Sequence, residues 1–187
     1  MITRPATPAD VPALVALVNS AYRGETSRAG WTTEADLLDG QRVDADGVTA
    51  DVAASDVVIL LAEQRGEPTP ALIGCVKLHR QGSECYLGML TVRPAAQGAG
   101  FGSRLLQAAE RWAVTRWSAQ SVHLTVIAQR AELIAWYERR GYQRTGEQRP
   151  FPYGDARFGL PRRDDLVFDV LRKVVGSSRQ TFRDGPT

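Results

Sequence analysis

The chain predicts one α/β (α+β) domain, with a central sheet of about six to seven strands flanked by helices, and three observations carry that class. Three apolar runs, VVILLAE, ALIGCVKLHR and ECYLGMLTV, follow one another with short turn-like links, the spacing of adjacent antiparallel strands. Downstream, Leu105, Leu106, Ala109, Trp112 and Ala113 share one face of a helical period, opposite Arg104, Gln107, Arg111 and Thr115. The length of 187 residues, with 43% hydrophobic and 24% charged content, matches a single globular unit able to bury a core without staples.

The elements follow in order. A short strand is expected over Ile2–Arg4, and then Val11, Leu14, Val15 and Val18 repeat at helical spacing up to Tyr22. In RGETSRAGWTTEADLLDGQRVD, Thr33 as N-cap, Asp36 in the first turn and Gly40 as a stop predict a loop and a short second helix. A weaker helical stretch is expected from Asp44 to Ala54. The three strand runs come next, then the helix after the glycines. SVHLTV reads as a strand, and Leu133, Ile134 and Tyr137 as a helix stopped at Gly141. YQRTGEQ and DLVFDVLRK supply two last strands around a long loop. Residues 1–175 are expected to form the domain and 176–187 a small, polar, disordered tail.

Composition narrows the partners. A formal charge of +2, with basic residues spread along the chain, argues against nucleic acid. The longest apolar run, Val57–Ala62, is too short to span a bilayer and MITRPATPAD lacks a signal-peptide core. The expectation is therefore a cytoplasmic protein that does not engage membranes. Cys75 and Cys85 have neither metal-site spacing nor a disulfide count, so no metal is expected and both read as reduced core thiols.

The most informative stretch is TVRPAAQGAGFGSRLL. Gly98, Gly100 and Gly102 stand between a strand and a helix, where unpaired backbone N–H groups and the positive helix end suit an anion. The same cluster serves equally well as a tight turn packing a helix on a sheet. A P-loop is ruled out because Ser103 is followed by Arg104 where Gly-Lys-Ser/Thr is needed. A dinucleotide fingerprint fits poorly, since the preceding strand belongs to an antiparallel run and no acid follows SVHLTV.

Gln97-Gly98-Ala99-Gly100-Phe101-Gly102 matches the Gln/Arg-x-x-Gly-x-Gly/Ala signature of the GNAT N-acetyltransferase superfamily. LTVRPAAQ before it and YERRGY after it resemble that superfamily's Val-x-Pro-like strand end and Tyr-Glu-x-x-Gly-Phe-like helix end, in order and spacing over about residues 57–147. The resemblance implies a mixed, mostly antiparallel GNAT sheet in which two parallel strands splay to form a cleft for acetyl-CoA, a cosubstrate. It also implies that Leu90 and Val92 bond the pantetheine arm, and that Gln97, Gly98, Ala99, Gly100, Phe101, Gly102 and Ser103 hold the pyrophosphate. Arg130 replaces an asparagine common in the superfamily just before the later helix, from where it could still reach a CoA phosphate. Dimers are common in the superfamily, and nothing in the sequence argues against a homodimer.

The implied reaction transfers an acetyl group to a primary amine of a small molecule or peptide N-terminus, by direct attack in a ternary complex. The alternative is a non-catalytic acyl-CoA-binding sensor. An amine of pKa ≈ 10.4 costs about 4.6 kcal/mol to deprotonate at pH 7, so a base or a depressed amine pKa is needed. Tyr137 occupies the superfamily's proton-donor position, although a core aromatic would fit the helix equally. The strand carboxylate of some members is replaced by Tyr86, which leaves Glu84 as the candidate base on the same face, acting through water. Glu25 is a further carboxylate outside the strand. His79 and His123 read as structural, as do Trp112, Trp117 and Trp136, whereas Trp31 is placed to line an acceptor pocket. Arg23, Arg28, Arg149 and Arg157 could hold an acid group of the acceptor, and Glu25 or Glu34 its ammonium.

Overall fold

The computed structural model describes residues 1–64, 71–155 and 158–176. Its strands are β1 (Ile2–Pro5), β2 (Leu38–Asp39), β3 (Val57–Gln64), β4 (Ala71–Gln81), β5 (Glu84–Val92), β6 (Ser121–Ile127), β7 (Gln143–Pro150), β8 (Leu160–Pro161) and β9 (Val167–Val174). The helices are α1 (Val11–Tyr22), α2 (Gly24–Ser27), α3 (Ala45–Ala53), α4 (Phe101–Trp117) and α5 (Ala131–Glu138). Seven strands form one sheet in the order β1-β3-β4-β5-β6-β9-β7, and β2 pairs with β8 in a separate ribbon. Every pairing is antiparallel except β5 with β6. This is the mixed, mostly antiparallel sheet flanked by helices that the sequence predicts.

Helices cover both faces of the sheet, which divides the core in two. On one side Leu105, Leu106, Ala109 and Ala113 of α4 and Ile134 and Tyr137 of α5 bury against Val76, Leu78, Leu87 and Leu124. On the other, Leu14, Leu17 and Val18 of α1 and Val48 of α3 pack on Ile59, Leu61 and Cys75. Strand alternation sorts residues between these layers, because successive side chains of β3 and β4 point to opposite faces. Burial pushes the thiols of Cys75 and Cys85 up to about 12, so both stay protonated within the core.

The structure corrects one element. The helix expected after Thr33 is absent. Thr33 Oγ1 does accept from the Ala35 N–H at 3.0 Å, and Leu37 and Leu38 N–H reach the Glu34 carbonyl, but the turn stops there. Leu38 instead enters β2 and buries beside Ile127, Phe151 and Leu166. Long-range pairing with β8, together with that apolar site, outweighs a weak local helical preference. A different one-turn helix, α2, precedes it. At the other end, the Gly176 N–H bonds the Gln120 carbonyl at 3.2 Å, which ties the first residue of the expected tail to the fold. Residues 177–187 lie outside the described residues.

Candidate active site

The site arises where β5 and β6 part. Their parallel pairing joins only Glu84, Cys85 and Tyr86 to Ser121, Val122 and His123. Beyond that point β6 keeps its full register with β9, and β5 keeps its pairing with β4, so a wedge opens between them. Within β5 the register with β4 shifts between the Cys75–Thr91 and Lys77–Gly88 pairs, where Met89 and Leu90 oppose the single residue Val76, and Met89 adopts φ +53°. A bulge of this kind reverses side-chain alternation. Leu87 therefore packs under α4, whereas Met89, two residues on, packs in the opposite core layer. The Arg93 N–H bonds the Ile73 carbonyl at 2.8 Å, which makes Thr91 and Cys75 the next bonded pair. Leu90 and Val92 consequently present their backbone groups to the open side.

Two cavities flank this opening. The larger, about 330 Å³, runs from Leu90 and Val92 over Gln97, Gly98, Gly100 and Ser103 to Trp136 and Arg140. Gly98 and Gly100 have φ of +85° and +77°, a conformation glycine adopts without strain, and a Cβ at either would meet no atom within 4 Å. Gly100 is the N-cap of α4, so the first N–H groups of that helix lack intrahelical acceptors at the cavity wall. Gln97 fastens the loop: its Oε1 accepts from the Trp31 N–H at 2.9 Å and its Nε2 donates to the Val92 carbonyl at 3.1 Å. Arg140 donates to Ser103 Oγ at 2.6 and 3.1 Å while its guanidinium lies 3.6 Å from the Trp136 ring centroid. Trp31 covers Trp136 at a centroid distance of 6.5 Å.

The smaller cavity, about 130 Å³, occupies the wedge itself, between Leu87–Leu90 of β5 and Leu124–Ile127 of β6. Its polar lining is Tyr22, Glu34, Arg42, Tyr86, Thr125, Arg130 and Tyr137. Glu34 is only 6% exposed and pairs with two guanidinium groups, Arg23 and Arg130, the latter at 2.6 Å. Arg130 also donates to Thr32 Oγ1 at 2.8 Å. Burial opposes ionisation of Glu34, but Arg130, Arg42 and Arg23 outweigh it and hold its carboxyl below the ordinary carboxylate value. The Tyr22 hydroxyl donates to the Leu90 carbonyl at 3.0 Å, and Tyr86 and Thr125 hydroxyls meet at 3.1 Å.

Tyr22, Leu90, Arg130, Leu133 and Tyr137 line both cavities and form the seam between them. Tyr137 is buried, and its hydroxyl makes no hydrogen bond with the described residues. Burial raises its pKa well above that of a free phenol.

The sequence-predicted residues distribute unevenly over this geometry. Leu90, Val92, Gln97, Gly98, Gly100, Gly102, Ser103, Arg130 and Tyr137 converge on the larger cavity. Ala99 contributes its carbonyl to Arg104 at 3.3 Å, and Phe101 packs into the α4 core layer beneath the Arg104 guanidinium, so neither lines the cavity. Arg130 is turned into the Glu34 pair rather than toward the glycine loop. Glu84 does not join the group. It lies six residues before Leu90 along β5, roughly 20 Å away at strand rise, where it pairs with Arg172 and faces His123 Nδ1 at 3.7 Å. That end of the strand is the paired end, remote from the wedge.

Among the other candidates, Glu25 is 90% exposed beside Arg28, and Arg149 pairs with Glu147. Arg157 lies outside the described residues. Sequence reasoning missed Arg42, Trp136 and Arg140 as site residues. Trp136 precedes Tyr137 and Arg140 lies in the same YERRGY stretch, so both were within reach of the motif. Arg42 carries no local signal.

Among the described residues no cluster of His, Cys, Asp and Glu could hold a metal ion, and no helix is long and apolar enough to cross a membrane. The fold recurs in solved structures. A ribosomal-protein-alanine N-acetyltransferase from Brucella melitensis is 21% identical with a TM-score of 0.67, the match covering 93% of this chain and 99% of that one. A putative acetyltransferase, yncA, from Salmonella typhimurium, solved with its cofactor acetyl-CoA, is also 21% identical, with 95% coverage of both chains and a TM-score of 0.67. A spermidine N-acetyltransferase from Vibrio cholerae, in complex with CoA and spermine, is 14% identical over 93% of this chain and 95% of that one, with a TM-score of 0.68. By sequence, no match is found among curated proteins. The model of the acetyltransferase (GNAT) family matches residues 17–142, which take in the second half of α1, the bulged strand, the glycine loop and the seam tyrosine. The chain belongs to the acetyltransferase (GNAT) family.

Proposed function

We propose that this acetyltransferase uses acetyl-CoA to acetylate a primary amine of a small molecule, by direct attack with both substrates bound. The observation that carries the reading is the pair of cavities meeting at Leu90 and Tyr137, one walled by a glycine loop at a helix N-terminus and the other by a polar wedge. The larger cavity fits the donor. Left-handed Gly98 and Gly100 border open space and leave main-chain N–H groups accessible to diphosphate oxygens. Leu90 and Val92 lie on a strand edge that no neighbouring strand pairs and offer main-chain groups to an amide-containing arm, although the Tyr22 hydroxyl and the Gln97 amide already share their carbonyls, and Arg140 adds a cation beside Ser103.

When bound, acetyl-CoA supplies a thioester whose C–S bond breaks as the amine nitrogen forms its C–N bond, the amine proton finally residing on sulfur. The chain's own groups prepare that exchange. The backbone N–H at Leu90, next to the bulge, provides a single donor for a carbonyl oxygen that becomes negative. Tyr137 stays protonated because burial raises its pKa, and so it acts as a hydrogen-bond donor to the departing sulfur. Complete loss of its own proton to a thiolate is uphill, so it relays a proton rather than surrendering one.

No carboxylate among the described residues lining the wedge is free to act as base, since Glu34 is committed to two arginines. The wedge favours a neutral amine by another route. Arg42 and Arg130 place positive charge on its wall, which disfavours an ammonium and depresses the amine pKa. Incubation of the full chain with acetyl-CoA and a panel of primary amines, reading free CoA, tests the proposal. Amine-dependent CoA release is the expected result, and acetyl-CoA binding without release for any amine would leave only the sensor reading.

A further inference from the structure

The charge balance of the wedge points beyond amine chemistry. Three guanidinium groups, Arg23, Arg42 and Arg130, act on one carboxylate, Glu34. Arg23 and Arg130 consume its two oxygens, and even so the Nε atoms of both are buried without a hydrogen-bond partner among the described residues. Their side chains are 6% and 9% exposed. Asp39 also feels Arg23 but is held at both oxygens by Arg162, so the two buried cations share Glu34 and leave positive charge uncompensated, a condition that favours an incoming anion.

Arg42 is the group positioned to meet it. Its guanidinium makes no hydrogen bond or ion pair with the described residues, and its one ring contact is with Tyr22 at 5.5 Å. Its backbone, by contrast, is firmly held. Asn19 Oδ1 accepts from the Arg42 and Val43 N–H groups at 2.7 and 3.2 Å, and Asn19 Nδ2 donates to the Val43 carbonyl at 2.9 Å. The result is a fixed stem carrying an unspent five-donor fork on the wall of the wedge cavity.

We propose that the acceptor amine carries a carboxylate, and that Arg42 receives that carboxylate while the amine reaches toward the Tyr137–Leu90 seam. The acceptor is then an amino acid of modest size, in keeping with a cavity of about 130 Å³. The inference rests on the acetyl-transfer reading for the role of the amine, and on the arginine geometry alone for the carboxylate. A polyamine is excluded by the same charges, because an ammonium chain would meet Arg42 and Arg130 without a free carboxylate in the lining.

The test pairs alanine, leucine and phenylalanine with their carboxamides, and adds spermidine, measured with the full-length protein by CoA release and, separately, by calorimetric titration into its CoA complex. The acids are expected to be favoured over the amides by about 10- to 100-fold, the range of a charge-assisted hydrogen bond. Amine basicity opposes this order, since the amides are the weaker bases and the more readily neutral. In Arg42→Gln the acid-to-amide ratio collapses toward one, and Arg42→Lys restores part of it. Equal use of acids and amides, or a preference for spermidine, overturns the inference while acetyl transfer stands. Arg42-dependent binding of the acids without CoA release retains the inference and overturns the transfer reading. Absence of binding by every acid overturns the inference outright.

Discussion

The two cavities are built from different materials. The larger depends on main chain: left-handed glycines, the first N–H groups of α4 and the bulged edge of β5. The smaller depends on side chains brought together from Tyr22, Glu34, Arg42, Tyr86 and Arg130. A backbone surface recognises what is constant in a ligand, on the proposed reading a diphosphate and an amide arm, and tolerates variation in the residues around it. A side-chain cluster sets selectivity, and a few substitutions suffice to change its preference. The contrast assigns the shared chemistry of the family to one half of the cleft and the individual character of this protein to the other.

Four measurements can break or sharpen that contrast. Glu34→Gln should have the largest effect, since it leaves Arg23 and Arg130 buried beside a neutral amide. A loss of about 3–5 kcal/mol in unfolding free energy is expected in chemical denaturation, and an unchanged transition would show that the cluster is not coupled to the fold. Tyr137→Phe, at the seam, should lower kcat by about 100-fold in CoA-release assays with acetyl-CoA affinity nearly intact. Full turnover in that variant removes the tyrosine from the chemistry.

Gly100→Val addresses the backbone half. An L side chain at φ +77° costs about 1–2 kcal/mol, so acetyl-CoA affinity by calorimetry should fall about tenfold while the melting temperature moves little. Retained affinity would sink the assignment of the loop. The smallest effect concerns His123, outside both cavities, whose pKa burial pushes below the ordinary 6.5. The unfolded chain then binds the proton more readily, so stability declines as pH drops through about 6.5 and levels off below the folded value. His123→Gln should flatten that slope, and superimposable pH curves for the two proteins would refute the linkage.

The same division explains what the sequence revealed. The strands of the meander, the glycine turn and the amphipathic helix are written in local periodicity, and the loop residues sit in one contiguous motif. Tyr137 was legible for the same reason. The wedge was not. Arg42 follows a segment read as helix, and it comes to the wall because β2 pairs with β8 and Asn19 clasps the Arg42–Val43 backbone. Arg130 was given to the cofactor because its neighbours in sequence belong there, yet Glu34, 96 positions away, claims its guanidinium. Glu84 looked suitable by alternation alone. Alternation specifies a face, not a position along the strand, and the bulge at Met89 changes even the face within the wedge.

Gln97 ties these halves mechanically. Its amide spans from the end of β5 to the Trp31 N–H, and Glu34 lies just three residues farther along the same segment. A short stretch of chain thus runs from the glycine loop to the heart of the arginine cluster. On the proposed reading, a donor held by this loop acts through that stretch on the site of the second substrate, and addition in a fixed order, donor ahead of amine, is the expected kinetic pattern.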